Sequence, residues 1–167
     1  MVFSMAEFLS PGDPAPDFSA IAVGGAYGDG TTVRRSDFQG KPCVLYFYPR
    51  DATPGCTIQA CAIRDNYGDI LATGAALFGV SVDSPQSHAK FIAKRRLPFP
   101  LLSDENHEIV EAYGVWGKRS FLGKSYMGTE RCTFVVGADG RIQAIFRKVK
   151  PGDHIAAVLN ALRPHET

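Results

Sequence analysis

No stretch of this chain approaches the ~20 apolar residues that a membrane helix needs, so a spanning protein is not expected. Excess charge is missing too. Eighteen basic side chains face 17 acidic ones, a net charge of +1, which gives no electrostatic reason to bind nucleic acid or an anionic membrane. Cysteine is sparse: four in 167 residues, too few and too unevenly placed for a disulfide scaffold. A reducing, cytoplasmic location is the simplest expectation. The first nine residues are mildly apolar but lack a basic start, a long apolar stretch and a small-residue cleavage site, so no secretory leader is expected. Repeats, low-complexity tracts and linkers are also lacking.

What remains is ordinary globular composition, 45% hydrophobic and 21% charged, in a length that suits one domain. Residues 1–12 are expected to be a loose arm and residues 13–164 a single domain. Residues 17–23 alternate in period two and read as a strand, with residues 31–34 returning after a glycine-rich turn. Ser36, Asp37 and Phe38 suit a short helical turn. Residues 43–48 form a nearly continuous apolar run bounded by Pro42 and Pro49, the pattern of a central strand covered on both faces. A helix is predicted from Thr53 to about Thr73, a buried strand over 75–82, and a helix from Ser84-Pro85 to about Arg96. Residues 99–102 read as extended and 106–113 as a short helix. Residues 131–136 and 141–146 make a hairpin about Ala138-Asp139-Gly140. A last helix is capped by Asp153, with Ile155, Val158, Leu159 and Leu162 on one face. The order predicts an α/β layer fold, a mixed central sheet flanked by helices.

The most informative segment is Pro49-Arg50-Asp51-Ala52-Thr53-Pro54-Gly55-Cys56-Thr57, with Cys61 five residues after Cys56. The residue before a proline is pushed to extended geometry, as an N-cap requires, and threonine is a favoured N-cap. Proline is favoured at the first helical position, where its missing N–H costs nothing. With Thr53 as N-cap, Cys56 falls at the third helical position, beside free N–H groups and the positive end of the dipole. That environment favours thiolate over thiol. A second thiol close behind suggests a nucleophile that is oxidised and then resolved. The segment also lies just past the carboxyl end of a central strand, where open α/β sheets place their sites.

The spacing carries a constraint of its own. On an ideal helix, positions i and i+5 are rotated by about 140° and their Cα atoms are about 8.7 Å apart, beyond the ~7 Å reach of a disulfide. Cys56 and Cys61 therefore cannot bond on an intact helix, and its first turns must unwind for them to do so.

The residues 46–57 closely resemble the active-site segment of peroxiredoxins. The place of Cys61 resembles the peroxiredoxin Q subfamily, also called bacterioferritin comigratory protein. Residues 104–106, 113–118 and 123–128 and Arg131 are similar to that subfamily in order and spacing, and the likeness runs from about residue 11 to 163. The resemblance implies a thioredoxin-like fold with an N-terminal β-hairpin addition. It implies reduction of hydrogen peroxide and organic hydroperoxides, electrons from thioredoxin or a similar dithiol, a monomer, and no cofactor or metal. Carried over by position, Cys56 is the peroxidatic cysteine and Cys61 the resolving one, with Thr53, Arg131 and Pro49 completing the site. Arg131 would hold the sulfur ionised and meet charge on the leaving oxygen. Thr53 would orient the peroxide as well as cap the helix, and Pro49 would shield the sulfur from water. Cys132, where serine or threonine is expected, and Cys43, where an aliphatic residue is commoner, depart from the pattern. Both are read as core.

Two other classes compete. A dithiol–disulfide oxidoreductase acting on protein disulfides would share the fold, but its cysteines are usually two residues apart. A structural zinc domain would need close ligand pairs. His88, His107, His154 and His165 are scattered and read as surface or helix-end residues. Trp116 reads as structural or as part of a substrate rim. Lys94, Arg95 and Arg96 suit a solvated helix end.

Overall fold

A computed structural model describes residues 9–148, 150 and 155–162. The elements in chain order are β1 (Ser19–Val23), β2 (Thr31–Arg34), β3 (Cys43–Phe47), α1 (Pro54–Asp65), α2 (Tyr67–Ala72), β4 (Ala76–Ser81), α3 (Pro85–Arg95), β5 (Leu101–Ser103), α4 (Glu108–Ala112), β6 (Trp116–Phe121), β7 (Lys124–Thr129), β8 (Cys132–Val136), β9 (Ile142–Arg147) and α5 (Ile155–Leu162). Seven strands form one sheet in the order β2-β1-β5-β4-β3-β8-β9, and β6 and β7 pair apart from it. The expected mixed sheet is present: β3 runs parallel to β4 and β4 to β5, whereas β3–β8, β8–β9, β1–β5 and β1–β2 are antiparallel.

The apolar run 43–48 is buried along its whole length, which is why β3 takes the centre of the sheet. Its alternate side chains feed two cores. Cys43, Leu45 and Phe47 join Phe78, Phe134, Ile109 and Val110 of α4 on one face. Val44, Tyr46 and Tyr48 join residues of α1, α2, α3 and α5 on the other. Gly79 lies opposite Tyr46 across the β3–β4 ladder, and a Cβ there would stand 2.7 Å from the Tyr46 ring and 2.7 Å from Leu101. The absence of a side chain at 79 is what leaves room for the Tyr46 ring in the second core.

Several boundaries differ from the sequence reading. The helix predicted from Thr53 to about Thr73 is two helices broken at Asn66. The Asn66 amide donates to Ala62 O at 2.8 Å, competing with the backbone ladder as asparagine does, and its own carbonyl accepts from Asp69 N at 3.1 Å to begin α2. The short helix predicted at 106–113 contracts to α4. Asp104 is buried and accepts from Ile109 N at 3.1 Å and Val110 N at 2.8 Å, which pins its start, and burial raises the Asp104 pKa against those bonds. The β6–β7 hairpin was not foreseen. Its turn residues Leu122 and Gly123 both have positive φ, 51° and 79°, as a primed two-residue turn requires. Leucine there and a mixed polar sequence hide it.

Residues 1–8 lie outside the described residues, but the chain is already tied down by residue 12, whose N–H donates to Ile142 O at 2.8 Å. Asp153, expected to cap α5, and His154 and His165 also lie outside them. Among the described residues no helix is long and apolar enough to cross a membrane.

Gly79→Ala should lower stability by about 1–3 kcal/mol, the range for overpacking a filled core. The shift of the denaturant midpoint at constant slope measures it, and an unchanged midpoint would show that Tyr46 and Leu101 give way freely.

Candidate active site

The chain leaves β3 at its carboxyl end, turns through Pro49–Ala52 and enters α1. Thr53 has extended geometry, φ −74° and ψ 155°, and Pro54 follows at the first helical position, as the sequence suggested. Thr57 N–H is the first to bond back, to Thr53 O at 2.8 Å. The N–H groups of Gly55 and Cys56 precede that bond and have no intrahelical acceptor. Cys56 thus sits in the opening turn, 2% exposed, in the core shared with Tyr46, Tyr48 and Ala60.

Arg131 stands one residue before β8. Because strand side chains alternate, Arg131 points to the face of α1 and Cys132 to the opposite core. The guanidinium is thereby brought to the sulfur: Arg131 Nη2 lies 3.4 Å from Cys56 Sγ, and Nη1 donates to Gln59 Oε1 at 2.5 Å. Gln59 is fully buried one helical turn beyond Cys56, and its Nε2 has no acceptor among the described residues. Sequence reasoning missed Gln59. The available signal was its place three residues after Cys56, which puts both side chains on one side of the helix.

The Thr53 hydroxyl does not cap the helix. It donates to Arg50 O at 2.9 Å, so its hydrogen is committed to the turn while its lone pairs are free to accept. Pro49 is exposed and lines a cavity of about 350 Å³ with Arg50, Trp116, Tyr126, Met127 and Thr129. Trp116 is half-buried against the His107 ring, centroids 4.2 Å apart. Cys61 is half-buried near the middle of α1, and all four cysteines are free.

Cys43 and Cys132 are core residues, as expected. Burial pushes each thiol up to about 12. His88 overturns its surface assignment. It is fully buried, with Nδ1 2.7 Å from Asp51 Oδ2 and Nε2 2.9 Å from Leu102 O. Asp83 lies in the same cluster. These groups satisfy one another by hydrogen bonds, so they form a polar network rather than an open cation cage. The sequence concealed it because Asp51 and His88 are 37 residues apart.

Residues 11–145 match the AhpC/TSA family, and the chain belongs to that family: it is a peroxiredoxin, an oxidoreductase with peroxidase activity. It is 44% identical over 157 residues to peroxiredoxin Bcp of Escherichia coli K12, covering 94% of this chain and 97% of that one. Against peroxiredoxin Bcp of Bacillus subtilis 168 it is 45% identical over 152 residues, 91% and 94% of the two chains. A solved structure of the Xanthomonas campestris bacterioferritin comigratory protein, studied for alkyl peroxide reduction, superposes with a TM-score of 0.79 at 34% identity, covering 87% of this chain and 89% of that one. Within the family the chain is therefore of the Bcp, or peroxiredoxin Q, kind. The thioredoxin-like core follows: β4-β3-β8-β9 with α1, α3 and α5.

A thiol alkylator at pH 8 should label Cys61 in the native protein long before Cys43 or Cys132. With pKa values near 12 and the sign of an acid group, only about one thiol in 10,000 of either is ionised at that pH. Their labelling should rise tenfold per pH unit. Peptide mapping reads this, and prompt native labelling of Cys132 would contradict it.

Proposed function

We propose that Cys56 is the peroxidatic cysteine and Cys61 its resolving partner in an intramolecular two-cysteine cycle, with Arg131, Thr53 and Pro49 completing the site. The observation that carries this reading is the Arg131 guanidinium 3.4 Å from a sulfur at a helix mouth. In the first step the Cys56 thiolate attacks the nearer peroxide oxygen in line. The O–O bond breaks, the far oxygen departs as hydroxide or alkoxide and takes a proton, and Cys56 becomes a sulfenic acid. Arg131 and the free N–H groups of Gly55 and Cys56 meet the charge on the oxygens, the kind of preformed donor set that lowers barriers most. Thr53, its own hydrogen given to Arg50 O, accepts the peroxide's O–H and fixes its orientation. The apolar rim of the Pro49–Trp116 cavity suits the carbon chain of an organic hydroperoxide, and the alkyl peroxide studies of the Xanthomonas campestris relative support that substrate class.

In the second step the Cys61 thiolate attacks the Cys56 sulfur, hydroxide leaves as water, and a disulfide forms. Both thiols lie on α1, where the i, i+5 separation of about 8.7 Å exceeds the ~7 Å limit, so the first turns unwind in each cycle. A thioredoxin-type dithiol then reduces the bond through a mixed disulfide and is itself oxidised. The acting unit is a monomer, one domain over residues 13–164 preceded by residues 1–12, in a reducing cytoplasm where free thiols persist.

One equivalent of hydrogen peroxide should convert the parent to a Cys56–Cys61 disulfide and the Cys61→Ser variant to a sulfenic acid on Cys56, both read by mass spectrometry. A disulfide from Cys56 to Cys43 or Cys132, or oxidation of Cys61 first, would overturn the assignment.

A further inference from the structure

The segment that must unwind begins beside the buried Asp51–His88 network. Asp51 is the fifth residue before Cys56 and the second before Thr53, and its side chain is 4% exposed. Its carboxylate accepts from three directions: Tyr48 Oη at 2.6 Å on Oδ1, and Ser87 Oγ at 2.8 Å and His88 Nδ1 at 2.7 Å on Oδ2. Its own N–H donates to Asp83 Oδ2 at 2.8 Å, and that oxygen also accepts from Ser81 Oγ at 2.6 Å. The Leu102 carbonyl can only accept, so His88 Nε2 carries a hydrogen, and Nδ1 shares a proton with Asp51. One residue is therefore gripped by the ends of β3 and β4, the start of α3 and, through His88, by β5.

Ala52 is exposed and holds φ +62°, the left-handed region that costs a non-glycine residue about 1 kcal/mol or more, and α1 follows. Between Ala52 and Cys61 the side chains of Cys56, Gln59 and Ala60 are as buried as Ile63, and Cys56 and Gln59 meet the Arg131 guanidinium.

We propose that Asp51 and His88 are positioning residues: a buried anchor that fixes the near end of the unwinding segment. Held there, the chain unwinds only beyond Asp51. The anchor keeps Thr53 and Cys56 in register with Arg131 while peroxide reacts, and sets how often the thiol leaves that register to meet Cys61. This rests on the two-cysteine cycle proposed above. Loosening the anchor slows the first step and speeds the second, which a purely structural role does not do. Five residues of chain, at most ~3.6 Å each, give Cys56 a reach of about 18 Å from Asp51, ample to close on Cys61 with the anchor intact.

The test compares reduced parent enzyme with His88→Leu, and with Ser87→Ala, which removes one donor to Asp51 and leaves the ring in place. Stopped-flow mixing with hydrogen peroxide reads the second-order oxidation of Cys56 and the first-order disulfide step separately, and hydrogen exchange reads the amides of residues 52–60. In His88→Leu the first rate should fall about tenfold, the second should rise several-fold, and exchange over 52–60 should quicken at least tenfold while β3 and β8 stay protected. Ser87→Ala should move all three the same way by less, and it carries the test if His88→Leu fails to fold. Both rates unchanged, both falling together, or exchange rising evenly through the sheet would overturn the anchor. Mass spectra of the parent in the same samples separate the two ideas. A missing Cys56–Cys61 bond there refutes the cycle, while the exchange of 52–60 judges the anchor by itself.

Discussion

The contact on which this structure turns is a charged hydrogen bond between a guanidinium and a sulfur at the first turn of a helix. A buried charge is costly unless it is paired, and the Arg131 guanidinium meets a Cys56 almost wholly removed from water. Three features of the fold supply its partners together. The β3–α1 connection delivers the sulfur to the carboxyl end of β3. The antiparallel β8 brings Arg131 alongside from the other direction. Gln59, on the same helix as the sulfur, holds the second arm of the guanidinium. Arginine's planar fork serves two neighbours at once, which a lysine ammonium at one point does not.

The same helix creates a geometric conflict. On an intact helix the Cα atoms of Cys56 and Cys61 are too far apart for a bond, so the proposed two-cysteine cycle needs two arrangements of one segment. A helix that opens with Thr-Pro-Gly and stops at Asn66, within twelve residues, suits that demand. Its early N–H groups are unpaired in any case, and glycine is among the weakest helix formers. On that proposal the buried polar network at Asp51 lies at the near end of the part that changes.

Much of this was legible in the sequence, and the reasons are local. The β3 run is apolar at every position, so its central burial follows from composition. The Thr53-Pro54 pair fixes a helix start by sterics alone, and with it the place of Cys56. The opposed directions of Arg131 and Cys132 follow from strand alternation. Other features depend on contacts that no local pattern encodes. His88 read as a surface or helix-end residue, because its partners, Asp51 beyond β3 and Leu102 within β5, are remote in sequence. Gln59 is ordinary helix vocabulary until Arg131 is beside it. The break at Asn66 rests on one side-chain bond competing with the ladder. The β6–β7 hairpin uses a leucine at positive φ, where turn chemistry favours asparagine or glycine.

The most direct test of the central contact is the second-order rate of Cys56 oxidation by hydrogen peroxide in Arg131→Met, set against the parent at one pH and ionic strength. The account requires a fall of about 100- to 1,000-fold, the scale for losing a preformed donor to reacting charge, with the fold intact by circular dichroism. A rate within twofold of the parent would contradict it.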